Sequence, residues 1–225
     1  MSHTRERFER DGALRLSGLI GQTRHEWETA ARPFFDLGKA GHRISRSSNL
    51  AALAMDATQS PQFMAAVGTG WRCVRAIAFN KSPRTNWGLG WHQDRTIAVA
   101  RRENVAGFDI WSRKDGMAHV EPPFAILERM VTLRVHLDPV DEDNAPLLVA
   151  KASHRLGKTA ERQIETLVDR SDVMSCYAAI GDGWLYATPI LHASSRSNSA
   201  RERRVIQIDY SRDALPEPLQ WAGIG

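Results

Sequence analysis

The chain has 225 residues, 42% of them hydrophobic and 25% charged, with a formal net charge of +4. That length suits one sizeable core, so a single domain over residues 1–225 is expected. No run of about 18 apolar residues occurs, which excludes a helical membrane span, and the basic excess lacks the stripe and stacking aromatics of a nucleic-acid surface. The opening segment Met1 to Arg7 is charged and has no apolar stretch of a signal peptide. Cys73 and Cys176 read as buried small hydrophobes of a reducing compartment, so a cytoplasmic location is the expectation. Oligomeric state is not legible.

The first 70 or so residues read mainly as helix. Thr4 to Arg10 is a short polar helix that Gly12 ends, and Ala13 to Leu19 a short strand. Thr23 to Leu37 carries Trp27, Ala30, Ala31, Phe34 and Phe35 at helical spacing, with a break expected near Pro33. Asn49 to Val67 is helical again, and Ser60-Pro61 resembles a helix start. After Trp71 the period changes to two. In the strand Cys73 to Asn80, Val74, Ala76 and Ala78 should face one way, and Arg75, Ile77, Phe79 and Lys81 the other.

Pro83 to Gly90 reads as a loop before a strand that carries Trp91-His92-Gln93-Asp94. Residues 100–129 read as a long connection, whose apolar residues make it a candidate lid. Met130 to Asp138 alternates clearly: Val131, Leu133, Val135 and Leu137 against Thr132, Arg134 and His136. A turn at Asp141 to Asn144, a strand Pro146 to Ala150 and a helix Thr159 to Asp169 follow. Then come strands Val173 to Ala179, Trp184 to Ala193 and Arg204 to Ser211, with a tight turn at Gly181-Asp182-Gly183. Short strands with turn signals, after a helical N-terminal region, predict a mainly β fold: a jelly roll or double-stranded β-helix, its core over about 71–212.

His92 and Asp94 are two residues apart, and His192 follows about a hundred residues later. On a strand, residues i and i+2 share a face, so both side chains can reach one ion. Gln93 must then point away or sit at an irregularity. Two histidines and one carboxylate can form the facial triad that holds non-haem Fe(II) with open positions. His-x-Asp alone is common by chance, and other metals accept the same donors.

Longer motifs add to it. Leu137-Asp138, Glu142 to Leu147 and Ser153-His154-Arg155-Leu156-Gly157, then Gly181-Asp182, His192-Ala193-Ser194 and Arg203-Arg204, stand in order after an opening Phe8 to Gly12. Together with His92-Gln93-Asp94 they resemble the signature of the phytanoyl-CoA dioxygenase family. The resemblance implies an Fe(II)- and 2-oxoglutarate-dependent dioxygenase that hydroxylates a small organic molecule with O2 and releases succinate and CO2. It implies His92, Asp94 and His192 as catalytic iron ligands. It also implies that Arg203, eleven residues after His192, grips the distal 2-oxoglutarate carboxylate with help from Ser194, with Arg204 as the rival. Related halogenases carry a small residue in place of the carboxylate ligand, so Asp94 favours hydroxylation. Desaturation, ring closure and epimerisation need the same ligands. Ala145 departs from the signature's Gly, and Lys151-Ala152 from its Pro-Gly.

Arg75 is a candidate second contact to 2-oxoglutarate, with an ion pair as the alternative. Arg134, His136 and Arg95 are candidate substrate contacts, and with Arg75 and Arg101 they suggest a carboxylate-bearing substrate. His119, in the candidate lid, reads as exposed; His154 as structural; His3, His25 and His42 as surface residues. Trp87, Trp91, Trp111 and Tyr186 read as wall and core packing. Two other readings stand beside the oxygenase: a non-catalytic barrel that senses a small molecule, and a cupin-type metalloenzyme without 2-oxoglutarate.

Overall fold

The computed structural model describes residues 2–224. Helix α1 (His3–Asp11) starts at Ser2, whose hydroxyl accepts from the Arg5 N–H, and ends at Gly12 in the left-handed region. Gly12 has a second reason to be glycine: a Cβ there would lie 2.2 Å from His154 Nδ1. Strand β1 (Ala13–Leu16) follows. Helix α2 (Arg24–Phe35) runs through Pro33 instead of breaking at it. Pro33 lies in the last turn, where it costs one backbone bond and the helix ends two residues later. Strand β2 (Gly41–Ile44) precedes α3 (Ser48–Ala57) and α4 (Pro61–Val67), two helices within the expected stretch, the second starting at Ser60-Pro61 as expected. Ser47 and Ser60 cap them by accepting from the N–H groups of Leu50 and Phe63.

The remaining strands are β3 (Arg72–Lys81), β4 (Leu89–His92), β5 (Ile97–Val99), β6 (Asp109–Lys114), β7 (Met117–Glu121), β8 (Val131–His136), β9 (Leu147–Ala150), β10 (Val173–Cys176), β11 (Gly183–Ala187), β12 (His192–Ser194) and β13 (Arg203–Ser211), with helices α5 (Phe124–Glu128) and α6 (Ile164–Asp169) between them. They form a six-stranded sheet in the order β1-β11-β8-β13-β3-β2 and a four-stranded sheet in the order β10-β9-β12-β4. Every pairing is antiparallel. The fold is a jelly roll, as expected from the strand pattern.

Residues 100–129 are not one connection. They hold the β6–β7 hairpin, which with β5 makes a third sheet, and α5. Val120, Ile97, Phe108 and Leu127 pack together beneath it, so the segment has its own apolar core. The expected strand Trp184 to Ala193 also divides, into β11 in the large sheet and β12 in the small one. Pro189 between them has no N–H to give a ladder.

The large sheet has two faces of different chemistry. Val131, Leu133 and Val135 of β8 join Ala76, Ala78, Ile206 and Ile208 against the N-terminal helices. Each large aliphatic side chain buried there contributes about 1.5–3 kcal/mol. Val74 does not share that face, contrary to expectation. Asp209 pairs with Arg75 and Tyr210 with Cys73, so Val74 is an extra residue and packs with Ile97 and Val99. The opposite face carries Thr132, Arg134, Arg75, Phe79, Gln207 and Arg203 toward the small sheet. No helix is long and apolar enough to cross a membrane among the described residues.

Candidate metal centre and co-substrate pocket

The small sheet brings its two histidines together directly. His192 of β12 pairs with His92 of β4, and their ring centroids lie 4.2 Å apart. Asp94 reaches them from beyond the strand, which ends at His92. Gln93 is the irregularity that permits this. Its side chain is buried, donating from Nε2 to the carbonyls of Pro189 (2.9 Å) and Gly157 (3.0 Å) and accepting at Oε1 from the Thr159 N–H (2.9 Å). One amide therefore ties the His-x-Asp segment to the loop before β12 and the loop before α6. Nothing in the sequence distinguished it from a solvent-facing glutamine.

One ligand atom each from His92, Asp94 and His192 falls within 4.8 Å of the others. The ring nitrogens are sorted by their neighbours. His92 Nδ1 lies 2.8 Å from the Gly90 carbonyl and His192 Nδ1 2.9 Å from the Ile190 carbonyl. A carbonyl only accepts, so each Nδ1 carries the proton and each Nε2 keeps a lone pair, the tautomer a metal requires. Burial and the neighbouring His92 push the His192 pKa down to about 4, so it is neutral. Burial alone would raise the Asp94 carboxyl, but Arg75 and the two imidazoles outweigh it and hold it below the usual value. Asp94 Oδ2 is buried with no hydrogen-bond partner. Two imidazole lone pairs beside an orphaned carboxylate oxygen fit a divalent metal of the Fe(II), Co(II) or Ni(II) kind.

Arg75 is not free to meet a co-substrate. Its Nε donates to Asp209 Oδ2 at 2.5 Å, and its Nη2 stands 3.7 Å from Asp94 Oδ2. Asp209 is held in turn by the Thr132 hydroxyl at 3.0 Å. The ion-pair alternative describes Arg75, and its place is behind Asp94.

A cationic cluster lies farther along the same cavity. Arg203, only 2% exposed, opens β13 opposite Lys81 of β3. Its Nη1 donates to the Ala145 carbonyl and lies 3.5 Å from Ser194 Oγ. Lys81 Nζ donates to the same hydroxyl at 3.2 Å and to the Ser195 carbonyl at 2.5 Å. Arg134 stacks over Phe79 at 5.3 Å. None of these three cations has a carboxylate partner among the described residues. Burial and Arg134 push Arg203 down to about 9, and burial with Arg203 and Arg134 pushes Lys81 down to about 7. Lys81 carried a signal in the sequence, since the expected alternation puts it on one strand face with Arg75 and Phe79. Arg204 points away and grips Asp138 through Nε (2.9 Å) and Nη2 (2.7 Å).

The cavity between the sheets measures about 410 Å3 and is lined by His92, Asp94, His192, Ser194, Arg203 and Arg134, among others. Three candidate residues lie elsewhere. His136 is buried outside it, both ring nitrogens unpartnered, and burial with Arg134 and Arg203 holds it neutral. Arg95 donates to the Thr159 carbonyl and lines a second cavity of about 800 Å3, to which His92, Asp94 and Lys114 also contribute. Arg101 pairs with Glu103 at 2.5 Å. His119 is fully buried, not exposed: the hairpin packs on β5 and covers it, and burial pushes its pKa down to about 4. Trp87 lines the cavity, with Lys81 over its ring at 4.8 Å.

The family model for phytanoyl-CoA dioxygenase (PhyH) matches residues 3–205. The chain belongs to the phytanoyl-CoA dioxygenase family. The family is Fe(II)- and 2-oxoglutarate-dependent, and the described donor set fits that metal. No curated protein matches. Among solved structures, EvdMO1 superposes with a TM-score of 0.66 at 17% identity over 94% of this chain and 50% of its own, so the chain spans half the length of that protein. EctD from S. alaskensis in its apoform has a TM-score of 0.66 at 16% identity, covering 97% of this chain and 80% of EctD. HygX from Streptomyces hygroscopicus with nickel and 2-oxoglutarate bound has a TM-score of 0.62 at 16% identity, covering 94% and 87%. At such identities these likenesses speak for the fold.

Proposed function

We propose that the chain is an iron(II)- and 2-oxoglutarate-dependent dioxygenase that hydroxylates a small organic molecule. The observation that carries this is the convergence of two Nε2 lone pairs and the orphaned Asp94 oxygen at one point, 4.8 Å across, with an unpaired buried arginine farther along the same cavity. His92, Asp94 and His192 would hold the metal. When bound, iron(II) with 2-oxoglutarate supplies the O2-dependent oxidising chemistry, with release of succinate and CO2.

The chain's own part is placement. The Gly90 and Ile190 carbonyls fix the imidazole rings, and Arg75 keeps Asp94 ionised. Arg203 and the Ser194 hydroxyl grip the distal carboxylate of 2-oxoglutarate, and Lys81 adds a third donor at the same hydroxyl. Phe79, Trp87 and Leu147 wall the cavity from water. A carboxylate at position 94 occupies a coordination place that a halide would need, which favours hydroxylation. Ring closure, desaturation and epimerisation use the same constellation.

The test is succinate formation by purified protein given Fe(II), ascorbate and 2-oxoglutarate. Wild type should form succinate slowly without added substrate, and His92→Ala should not. Equal rates in both would remove the metal from the reaction. The sensing and 2-oxoglutarate-independent readings both expect no succinate from wild type.

A further inference from the structure

The cavity is markedly one-sided in charge. Arg43, Arg75, Lys114, Arg134 and Arg203 line it, against the single carboxylate of Asp94. Asp94 and Asp209 neutralise Arg75. Arg134 and Arg203 sit with Lys81 at the end assigned to the distal carboxylate of 2-oxoglutarate. Lys114 and Arg43 remain, and they lie at the other end.

Their position is built. Arg43 of β2 pairs with Ile77 of β3, so both point into the cavity. Lys114 ends β6 and lines both this cavity and the second one, beside Asp94. The hairpin that carries it is pinned to β2. Asp115, in the β6–β7 turn, accepts from the Arg43 N–H at 3.0 Å and lies 3.5 Å from both Arg43 Nη1 and Lys39 Nζ. The opening to the metal is thus framed by β2, β4 and the hairpin.

Neither cation is fully satisfied there, although Asp115 pairs with one edge of the Arg43 guanidinium. Arg43 Nε is buried with no partner. Lys114 makes no hydrogen bond or ion pair among the described residues. Besides Asp94 and the Asp115 that Arg43 and Lys39 share, the acids near the opening are Glu161 and Glu165, which line only the second cavity, and Glu161 is largely in solvent. Two cations held together at a partly dehydrated opening repel each other, and an anion placed between them relieves both.

We propose that the molecule oxidised at this site is an acid whose carboxylate or phosphate docks between Lys114 and Arg43. This rests on the oxygenase reading of the same cavity. It places the anionic group at the opening and the reacting carbon inward, toward His92 and Asp94. It also moves substrate recognition away from His136, which lines neither cavity.

The experiment uses full-length protein loaded with Ni(II) and saturated with 2-oxoglutarate. Benzoate, phenyl phosphate and neutral benzamide are titrated and binding is read by ligand-observed NMR. At least one anion should bind about tenfold or more tightly than benzamide, and which one does so tells carboxylate from phosphate. Lys114→Met should reduce that anion-to-amide ratio roughly tenfold, and Lys114→Arg should retain it. A ratio near one in wild type, or an unchanged ratio in Lys114→Met, overturns the proposal. Failure of 2-oxoglutarate to bind in the first step would instead count against the oxygenase reading.

Discussion

Arg75 and Asp209 are locked together at 2.5 Å across the pairing of β3 with β13, and the free edge of the same guanidinium faces the Asp94 carboxylate at 3.7 Å. Both partners are almost fully buried. The pair therefore acts on Asp94 through Arg75, as a positioning device behind the proposed metal centre. Replacing Arg75 by Leu leaves Asp209 and Asp94 facing each other without a counter-charge. Such removal costs about 3–5 kcal/mol, so Arg75→Leu should lower the urea midpoint sharply. Asp209→Asn keeps a hydrogen-bonding group for Arg75 and Thr132 and should fold, with metal affinity roughly tenfold weaker in a competition titration.

Arg203 and Ser194 are expected to act on 2-oxoglutarate and not on the metal. A charge-assisted contact is worth about 1.5–3 kcal/mol and a neutral one about 0.5–1.5. Arg203→Gln should therefore raise the Kd for 2-oxoglutarate by roughly 10- to 100-fold, and Ser194→Ala by about tenfold or less. Calorimetry on Ni(II)-loaded protein measures both.

Lys81 makes that binding depend on pH. Its pKa in the free protein is about 7, lowered by burial and by Arg203 and Arg134. At pH 8 it is mostly neutral. A carboxylate arriving at Ser194, 3.2 Å from Nζ, favours the protonated form and raises the pKa. The complex then holds more protons than the free protein, so binding takes up protons and weakens as pH rises above about 7. Calorimetric titrations at pH 8 in buffers of different ionisation enthalpy should show the uptake, and Lys81→Met should remove it. His192 and His136 are neutral throughout this range and add nothing.

Gln93 ties three backbone groups to the metal segment. Gln93→Leu leaves the Gly157 and Pro189 carbonyls and the Thr159 N–H without it. At about 1–3 kcal/mol for an unsatisfied buried group, a loss of roughly 3 kcal/mol in denaturant unfolding is expected, together with weaker metal binding.

The two departures from the family signature carry a cost in backbone conformation. Ala145 and Ala152 both have positive φ, +50° and +62°, at places where the signature has glycine. Left-handed alanine costs about 1–2 kcal/mol, and glycine returns part of that as unfolded-chain entropy. Ala152→Gly should stabilise by about 0.5–1 kcal/mol, seen as a rise in Tm.

Much of the architecture was legible because one face of each central strand is apolar. Val131, Leu133 and Val135 alternate with Thr132 and Arg134, and that alternation marked β8 as a strand with one apolar and one polar face. The segment 100–129 was less legible. Gly107, Gly116 and Pro122-Pro123 punctuate it as a loop would, and β6 is mostly exposed while β7 is almost wholly buried, so no alternation marks either strand. His119 followed that error. Within the site, His92, Asp94, His192, Ser194 and Arg203 come together as the motif order suggested. The partners of Gln93 and of Arg75 did not emerge, because they lie 64 to 134 positions away along the chain. Lys114 was hidden with the hairpin.

The central claim is that one cavity binds a metal and 2-oxoglutarate together. The most direct measurement is an anaerobic calorimetric titration of 2-oxoglutarate into wild type and His92→Ala, each with and without Fe(II). Wild type should bind 2-oxoglutarate much more tightly with Fe(II) than without, and His92→Ala should lose that difference. Equal affinity in wild type with and without the metal, or an undiminished metal effect in His92→Ala, would contradict the account.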